Sequence, residues 1–402
     1  MNVRRLLPTP IAALAIAFVV QRVAAAQTVV ALTPDAWNAS DSLRIETFLG
    51  RPSVYINRGV ALARGVALRN GTIEYDWAAS RRTSFLGASF HATAPDNSES
   101  VFFRPGSSGK PDAVQYGPAL NTYGVAWQIY HGPGATAATE LHRERWTHVK
   151  MVIRGDSAAI FLDSAETPVL VVPRLAGVDG TGVGVWAGNF GRGAYFSNFT
   201  ETPLPNAIAR SAPRPMPRGT ITDWELSPAL DAETVSPAAL PKLSSLTWQR
   251  VSPEPTGFVL INRYRVSPIA SVPVDPATSE VNVDSVMGGR VRGTKVVYAR
   301  TTLQASRDET RRLRFAYSDG ITIYLNGQPV YFGMNPQGLR DNLGLMPSDG
   351  DAVYLPLKRG RNALVVAVTE YSGGWGFSAR LESSVAGPST ATTATRAGAT
   401  DR

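Results

Sequence analysis

The chain of 402 residues has no cysteine, which excludes disulfides, a thiolate nucleophile and a lipid-acylated cysteine after a leader, so stability must come from buried apolar area. Its length suits two cores of ordinary domain size. The net charge of +8, from 40 Lys+Arg against 32 Asp+Glu, is carried by scattered arginines with no long basic run, which describes a solvated surface and excludes nucleic acid as a favoured partner.

Arg4 and Arg5 precede an apolar stretch from Ile11 to Val20, and Ala24-Ala25-Ala26 then offers the small residues of a signal-peptidase site. Residues 1–26 read as a signal peptide, with a mature start near Gln27 and a mature net charge of about +5. The apolar stretch is about half the roughly 20 residues that span a bilayer, and Gln21 and Arg22 close it. A cleaved signal therefore fits better than an uncleaved anchor. Leu6-Leu7-Pro8 fits a twin-arginine signal poorly, which leaves the routine secretory route. The expected location is secreted or periplasmic, with membrane contact only through the signal peptide before cleavage.

From about Gly65 to Thr200 short alternating runs are punctuated by glycine, asparagine and proline, with no sustained 3.6-residue period. Thr72 to Trp77 sets Ile73, Tyr75 and Trp77 on one face and Glu74 and Asp76 on the other. Further strands are expected at Phe85 to His91, Val101 to Arg104, Ala113 to Tyr116, Val125 to Tyr130, Trp146 to Arg154, Ala158 to Asp163, Val169 to Val172, Gly182 to Trp186 and Ala194 to Phe199. The first sandwich is bounded at 27–201.

Pro203, Pro205, Pro213, Pro215 and Pro217 mark 202–219 as a stiff Pro-rich linker. A second sandwich at 220–384 starts with strands near Ile221 to Leu226, Leu246 to Val251 and Gly257 to Asn262, followed by a long loop from Ser267 to Val291. Arg311 to Tyr317 alternates, Ser318-Asp319-Gly320 is expected to turn, and Ile321 to Leu325 alternates again before Asn326-Gly327 makes a tight hairpin into Pro329 to Phe332. Ala352 to Leu357, Asn362 to Val368 and Gly376 to Leu381 complete the set, and the Ala/Thr/Ser/Gly-rich tail at 385–402 is expected to be disordered. The fold class is all-β: two β-sandwich (jelly-roll) domains joined by the linker.

The run Asn70-Gly71-Thr72-Ile73-Glu74-Tyr75-Asp76, then Phe103-Arg104-Pro105, Trp146-Thr147-His148-Val149-Lys150 and Tyr195-Phe196-Ser197-Asn198-Phe199, resembles in order and spacing the concanavalin A-like lectin/glucanase superfamily, the jelly roll shared by laminin G modules. Ser318 to Gly327 and Leu357-Lys358-Arg359-Gly360-Arg361-Asn362 resemble a galactose-binding-like jelly roll in the second domain. Each likeness spans about a third of the chain, and together they imply carbohydrate work without proving it.

With Phe90, Val101, Phe103, Val114, Val125, Trp127 and Ile129 assigned to the core, His91, Arg104, Gln115, Gln128 and Tyr130 fall on the opposite face, joined by Trp186. An aromatic platform beside hydrogen-bonding groups suits a sugar, whose apolar face stacks while its hydroxyls need donors and acceptors. These six residues are the expected contacts of a poly- or oligosaccharide on the concave face. An ordinary solvated sheet face is the plainer reading of the same pattern.

A glycoside hydrolase on the same fold is the main alternative, and a protein-interaction or structural surface module is the third. Hydrolysis needs two carboxylates; Glu74-x-Asp76 supplies a pair, but laminarinase-type enzymes of the resembled superfamily carry Glu-x-Asp-x-x-Glu, and the third position here is Ala79. Asp96, Glu99, Glu140 and Glu144 are left as acids at loops or strand ends. His91, His131, His142 and His148 form no zinc motif, and there is no Gly-x-Ser-x-Gly elbow, so no catalytic residue or metal ligand is assigned. No cofactor is called for. The resemblance allows a structural calcium at Asp319 or the Asp349-Gly350-Asp351 turn, where turn-forming aspartates are the plainer reading. Trp375 in its glycine-rich loop reads either as a sugar platform or as a buried anchor.

Overall fold

The computed structural model describes residues 26–382, apart from 41–42, 122–125, 189–192, 205–214, 233–239, 267–293, 337–338, 342, 347–349 and 371–372. Nearly all of the segment read as a signal peptide, most of that read as a linker, the Ser267 to Val291 segment and the tail lie outside the described residues.

The described chain is all-β, and each half encloses one apolar core between two antiparallel sheets. In the first sandwich, one sheet of eight strands has Gly71–Ala79 near its centre, between Trp146–Arg154 and Ala194–Pro203. This is the Asp76 sheet. The facing sheet, also of eight strands, is built around Phe85–Ala94, Asn97–Phe103, Val114–Tyr116 and Gly182–Gly188. This is the Gln115 sheet. Alternation decides the packing: Ile73, Tyr75 and Trp77 point inward against Phe90, Val101, Phe103 and Val114, all completely or almost completely buried. The chain before Gly65, given no structure in the sequence reading, supplies five strands to these sheets, including Leu43–Phe48 and Arg51–Ile56.

The run from Val125 to Tyr130 is not a strand. Val125 lies outside the described residues, and Ala126 to Tyr130 forms a turn in which the amides of Ile129 and Tyr130 both donate to the Ala126 carbonyl. Trp127 therefore stays out of the core, and Ile129 packs in a separate cluster.

The second sandwich sets a seven-stranded sheet against a four-stranded one. The strand Lys295–Ala305, absent from the sequence reading, is central and pairs along its whole length with Gly360–Glu370. Ser318-Asp319-Gly320 does not close a hairpin: Glu309–Ser318 belongs to the four-stranded sheet and Gly320–Leu325 to the seven-stranded one, so the chain crosses between layers there. Asn326 and Gly327 do make the tight hairpin, both at positive φ. The seven-stranded sheet's outer face is covered by the chain's own residues, with Leu230, Leu240, Leu243, Leu246 and Trp248 packed on Val296, Tyr298, Tyr324, Val365 and Ala367.

The sandwiches dock through a third apolar cluster, in which Leu120, Ala126, Ile129 and Val178 meet Phe258, Leu260, Ala316 and Met346. Polar bonds frame it. Trp127 Nε1 donates to Leu343 O at 2.8 Å, Met346 N to Gln128 O at 2.9 Å, Gly374 N to Gln128 Oε1 at 2.8 Å, and Arg263 Nη2 to Ala176 O at 2.8 Å. His131 Nε2 lies 2.9 Å from Met346 O, and Asn121 Nδ2 donates to Asn262 O at 3.0 Å. Gly373 is required at this seam. Its φ is +88°, and a Cβ there would stand 2.6 Å from the Trp127 ring and collide with the Gln128 amide. Gly373→Val is expected to lower stability by about 2 to 3 kcal/mol, read as a lower midpoint in urea unfolding followed by tryptophan fluorescence, with the two sandwiches unfolding in separate steps.

Candidate functional site

The Gln115 sheet and the turn beside it carry the expected ligand residues, but four of the six, His91, Arg104, Gln115 and Gln128, are buried. Gln115, 1% exposed, points outward and donates through Nε2 to Trp127 O at 3.0 Å and Tyr130 O at 2.5 Å, which holds the 126–130 turn against the sheet. Gln128 is fully buried in the domain seam. Tyr130 makes an edge contact with Tyr116, and burial among Glu254 and Glu99 pushes its phenol well above the usual range. His91 stands at positive φ where the Phe85–Ala94 strand slips register, and its Nε2 meets Arg69 O at 2.8 Å. It has left the pleat that would have aimed it at the others.

Arg104 and Trp186 do come together, through Phe102. The guanidinium lies 4.7 Å from the Phe102 ring centre and the Trp186 ring 5.5 Å from it. Arg104 is 6% exposed, donates to Asp112 O at 2.9 Å, and has its pKa lowered to about 10 by desolvation. Trp186, half-buried, is the member of the six with an accessible aromatic ring outside the domain seam. The neighbouring outward side chains Ser89, Ser98 and Ser100 are buried.

Three of the four acids left open by the sequence, Glu99, Glu140 and Glu144, are engaged locally. Glu99 is buried; its Oε2 accepts from Tyr116 OH at 2.5 Å and its Oε1 from the amides of Gly177 and Val178. Glu140 accepts from Ser108 and Glu144 from Arg81. Trp375 is fully buried, its Nε1 donating to Val368 O at 3.2 Å, so it is an anchor and not a platform.

The opposite face, on the Asp76 sheet, carries an arrangement that sequence reasoning missed. Cross-strand register puts His148 and Ser197 on either side of Asp76. Asp76 Oδ2 accepts from Arg51 Nη1 at 2.5 Å and Asn198 Nδ2 at 2.7 Å, and Oδ1 accepts from His148 Nδ1 at 2.7 Å. A carboxylate oxygen only accepts, so His148 carries a proton on Nδ1 and, when neutral, presents Nε2 as an acceptor. The His148 side chain is 42% exposed and that of Asp76 12%. The carboxylate is thus a buried hub under solvent-facing groups.

Aromatic surface borders this hub. The Arg51 guanidinium lies 4.7 Å from the Trp146 ring centre, and Phe48, opposite Arg51 in the ladder, stacks on Tyr195 at 3.8 Å, 3° from parallel. Trp146, Phe48 and Tyr195 are half-buried and Asn198 is exposed. Glu74 shares the face, 4.0 Å from Lys150 Nζ. The set is drawn from five strands and bonds both sides of Asp76, so it combines fixed donors and acceptors with ring faces in one place. Alternation gave the faces of Glu74 and Asp76; nothing in the sequence announced Arg51 or Asn198 as partners.

No protein-family model matches the chain, and no curated protein matches it. Solved structures are similar to it at low identity. Carbohydrate-binding module CBM66 from Bacillus subtilis is 17% identical, covering 42% of this chain and 95% of that one, with a TM-score of 0.33. The VIP36 exoplasmic/lumenal domain, in its Ca2+- and Man3GlcNAc-bound form, is 8% identical over 46% of this chain and 90% of that one, with a TM-score of 0.32. A Bacillus subtilis protein of unknown function with a galectin-like fold is 10% identical over 42% and 89%, with a TM-score of 0.31.

Asp76→Ala removes the acceptor from three donors at once and leaves Arg51 and His148 unpaired at a half-buried site. The expected cost is about 2 kcal/mol in stability, measured by urea unfolding. His148→Ala, which removes one exposed partner, is expected to cost less than about 1 kcal/mol.

Proposed function

We propose that this protein is an exported carbohydrate-binding protein whose first sandwich holds a poly- or oligosaccharide on the outer face of the Asp76 sheet. The observation that carries the reading is the Asp76 hub, which fixes Arg51, His148 and Asn198 beside the Trp146 ring and the Phe48–Tyr195 pair on a solvent-facing sheet. A sugar presents exactly opposed needs on one ring, an apolar face and a rim of hydroxyls, and orientation of the polar groups before binding reduces the entropy lost on association. The signal-peptide pattern at 1–26 supports secretion or a periplasmic location.

A second reading keeps the site on the Gln115 sheet, where Trp186 lies against Phe102 with Arg104 beyond it. The weight falls on the Asp76 sheet because Gln115, Gln128, His91 and Arg104 are buried and hydrogen-bonded within the protein.

A glycan array and polysaccharide pull-down with the full chain tests this. Trp146→Ala and His148→Ala are each expected to weaken retention about tenfold, the equivalent of about 1.4 kcal/mol, while Trp186→Ala binds as the unaltered chain does. Loss with Trp186→Ala alone would move the site to the Gln115 sheet. Absence of retention on every glycan would favour the protein-interaction module instead.

A further inference from the structure

At the junction of the two sandwiches, segments from both enclose a cleft of about 240 Å3. Leu120 pairs with Asn97, which sets these two residues side by side on the Gln115 sheet. Asn121 follows at positive φ, where that strand ends. Val178 and Asp179 come from a loop that Glu99 fixes, since the amides of Gly177 and Val178 both donate to its buried carboxylate, at 2.7 and 2.9 Å. Arg263 enters from the second sandwich and ties the same loop by donating to Ala176 O at 2.8 Å. These six residues, with Gly177, line the cleft, so both domains build it.

Volume selects the size of an occupant. The cleft exceeds the roughly 30 Å3 of one water in the liquid about eightfold, and it falls below the roughly 300 to 1,000 Å3 of clefts for drug-sized molecules, which suits one small ring. Charge selects against ions. Arg263 Nε donates to Glu254 Oε1 at 2.8 Å and Asp179 Oδ1 accepts from Arg69 Nη1 at 2.6 Å, so each charged lining group already has a counter-charge with which an ionic ligand would compete. Hydrogen bonding selects hydroxyls. Asn97 Nδ2 donates to Thr93 Oγ1 at 2.7 Å and Asn121 Nδ2 to Asn262 O at 3.0 Å, which orients both amides and leaves their Oδ1 atoms as acceptors. Asn262, which receives the Asn121 bond and precedes Arg263, is 1% exposed, and its Nδ2 has no partner. None of the lining residues is aromatic, so a flat heterocycle would find no ring to stack on.

We propose that a neutral sugar ring binds in this cleft and touches both sandwiches at once. A ring hydroxyl donates and accepts together, as the mixed amide, carboxylate and guanidinium lining requires, while a C–H face rests on Leu120 and Val178. The cleft borders the Gln115 sheet, across the first core from the Asp76 sheet, so this site and the glycan face of the Asp76 sheet stand or fall separately.

Saturation-transfer NMR on the full-length Trp146→Ala chain, whose Asp76 face lacks its ring, is the test, with glucose, galactose, mannose, fructose, xylose and arabinose as probes and glucuronate as the charged control. Millimolar binding of at least one neutral sugar is expected, weakened about tenfold by adding Asn97→Ala or Asn121→Ala, with glucuronate binding more weakly. Asn97→Ala gives up only its side-chain bond to Thr93 and should keep the parent Tm, which separates lost binding from lost folding. No binding of any of these neutral sugars at about 20 mM would overturn the proposal, as would binding that neither substitution weakens, or glucuronate bound as tightly. Each of those outcomes leaves the Asp76 reading intact, because that reading is tested by polysaccharide retention on the unaltered chain.

Discussion

Gln128 is wholly buried, and a buried amide must spend its hydrogen bonds inside the protein. It does so on the backbone of Gly374, in the other sandwich. Much of the molecule follows from that bond. The turn carrying Gln128 has to leave the first sandwich and enter the second, so Ala126 to Tyr130 cannot continue as a strand. The receiving loop has to lack side chains, so residues 373 and 374 are glycines. The tryptophan after them has to turn inward, where Trp375 anchors the loop against Val368.

The same docking decides which face of the first sandwich is open to a ligand. Gln115 is bound to the carbonyls of the docking turn, and Tyr130 is half-buried at the junction near Glu254 and Arg263. Side chains that satisfy buried backbone groups are costly to redirect, because each bond given up leaves an unpaired polar atom behind. The Asp76 sheet bears no such load. Its outer polar groups are satisfied laterally, strand to strand, through a carboxylate that sits below the surface and leaves the exposed atoms of His148, Arg51 and Asn198 facing water. A face organised in this way is both ordered and accessible.

The fold was largely legible from alternation. Trp146–Arg154 and Gly376–Leu381 have the limits that their apolar period gives them, and Ile73, Tyr75 and Trp77 fill the core as their spacing requires. Alternation fails where both faces of a strand are buried. Lys295–Ala305 has Val297, Ala299 and Leu303 on the core side, while Val296 and Tyr298 lie under the covering segment, so its apolar run shows no clean period of two. It also fails where a short apolar run serves docking, as Ile129 does, since a residue buried between domains carries the same composition as one buried within them.

The candidate site divides the same way. Sequence by itself determined the all-β class, the two cores, the turn chemistry of Asn326-Gly327, and the placing of Glu74 and Asp76 on an outward face, because these depend on local sterics and on a period that any strand must obey. Tertiary structure decided that Asp76 meets His148, Arg51 and Asn198, and that Gln115 and Gln128 are bound inside. A strand's period states which side a residue points to; only pairing register between distant segments states what lies beside it, and only packing states whether that side sees water.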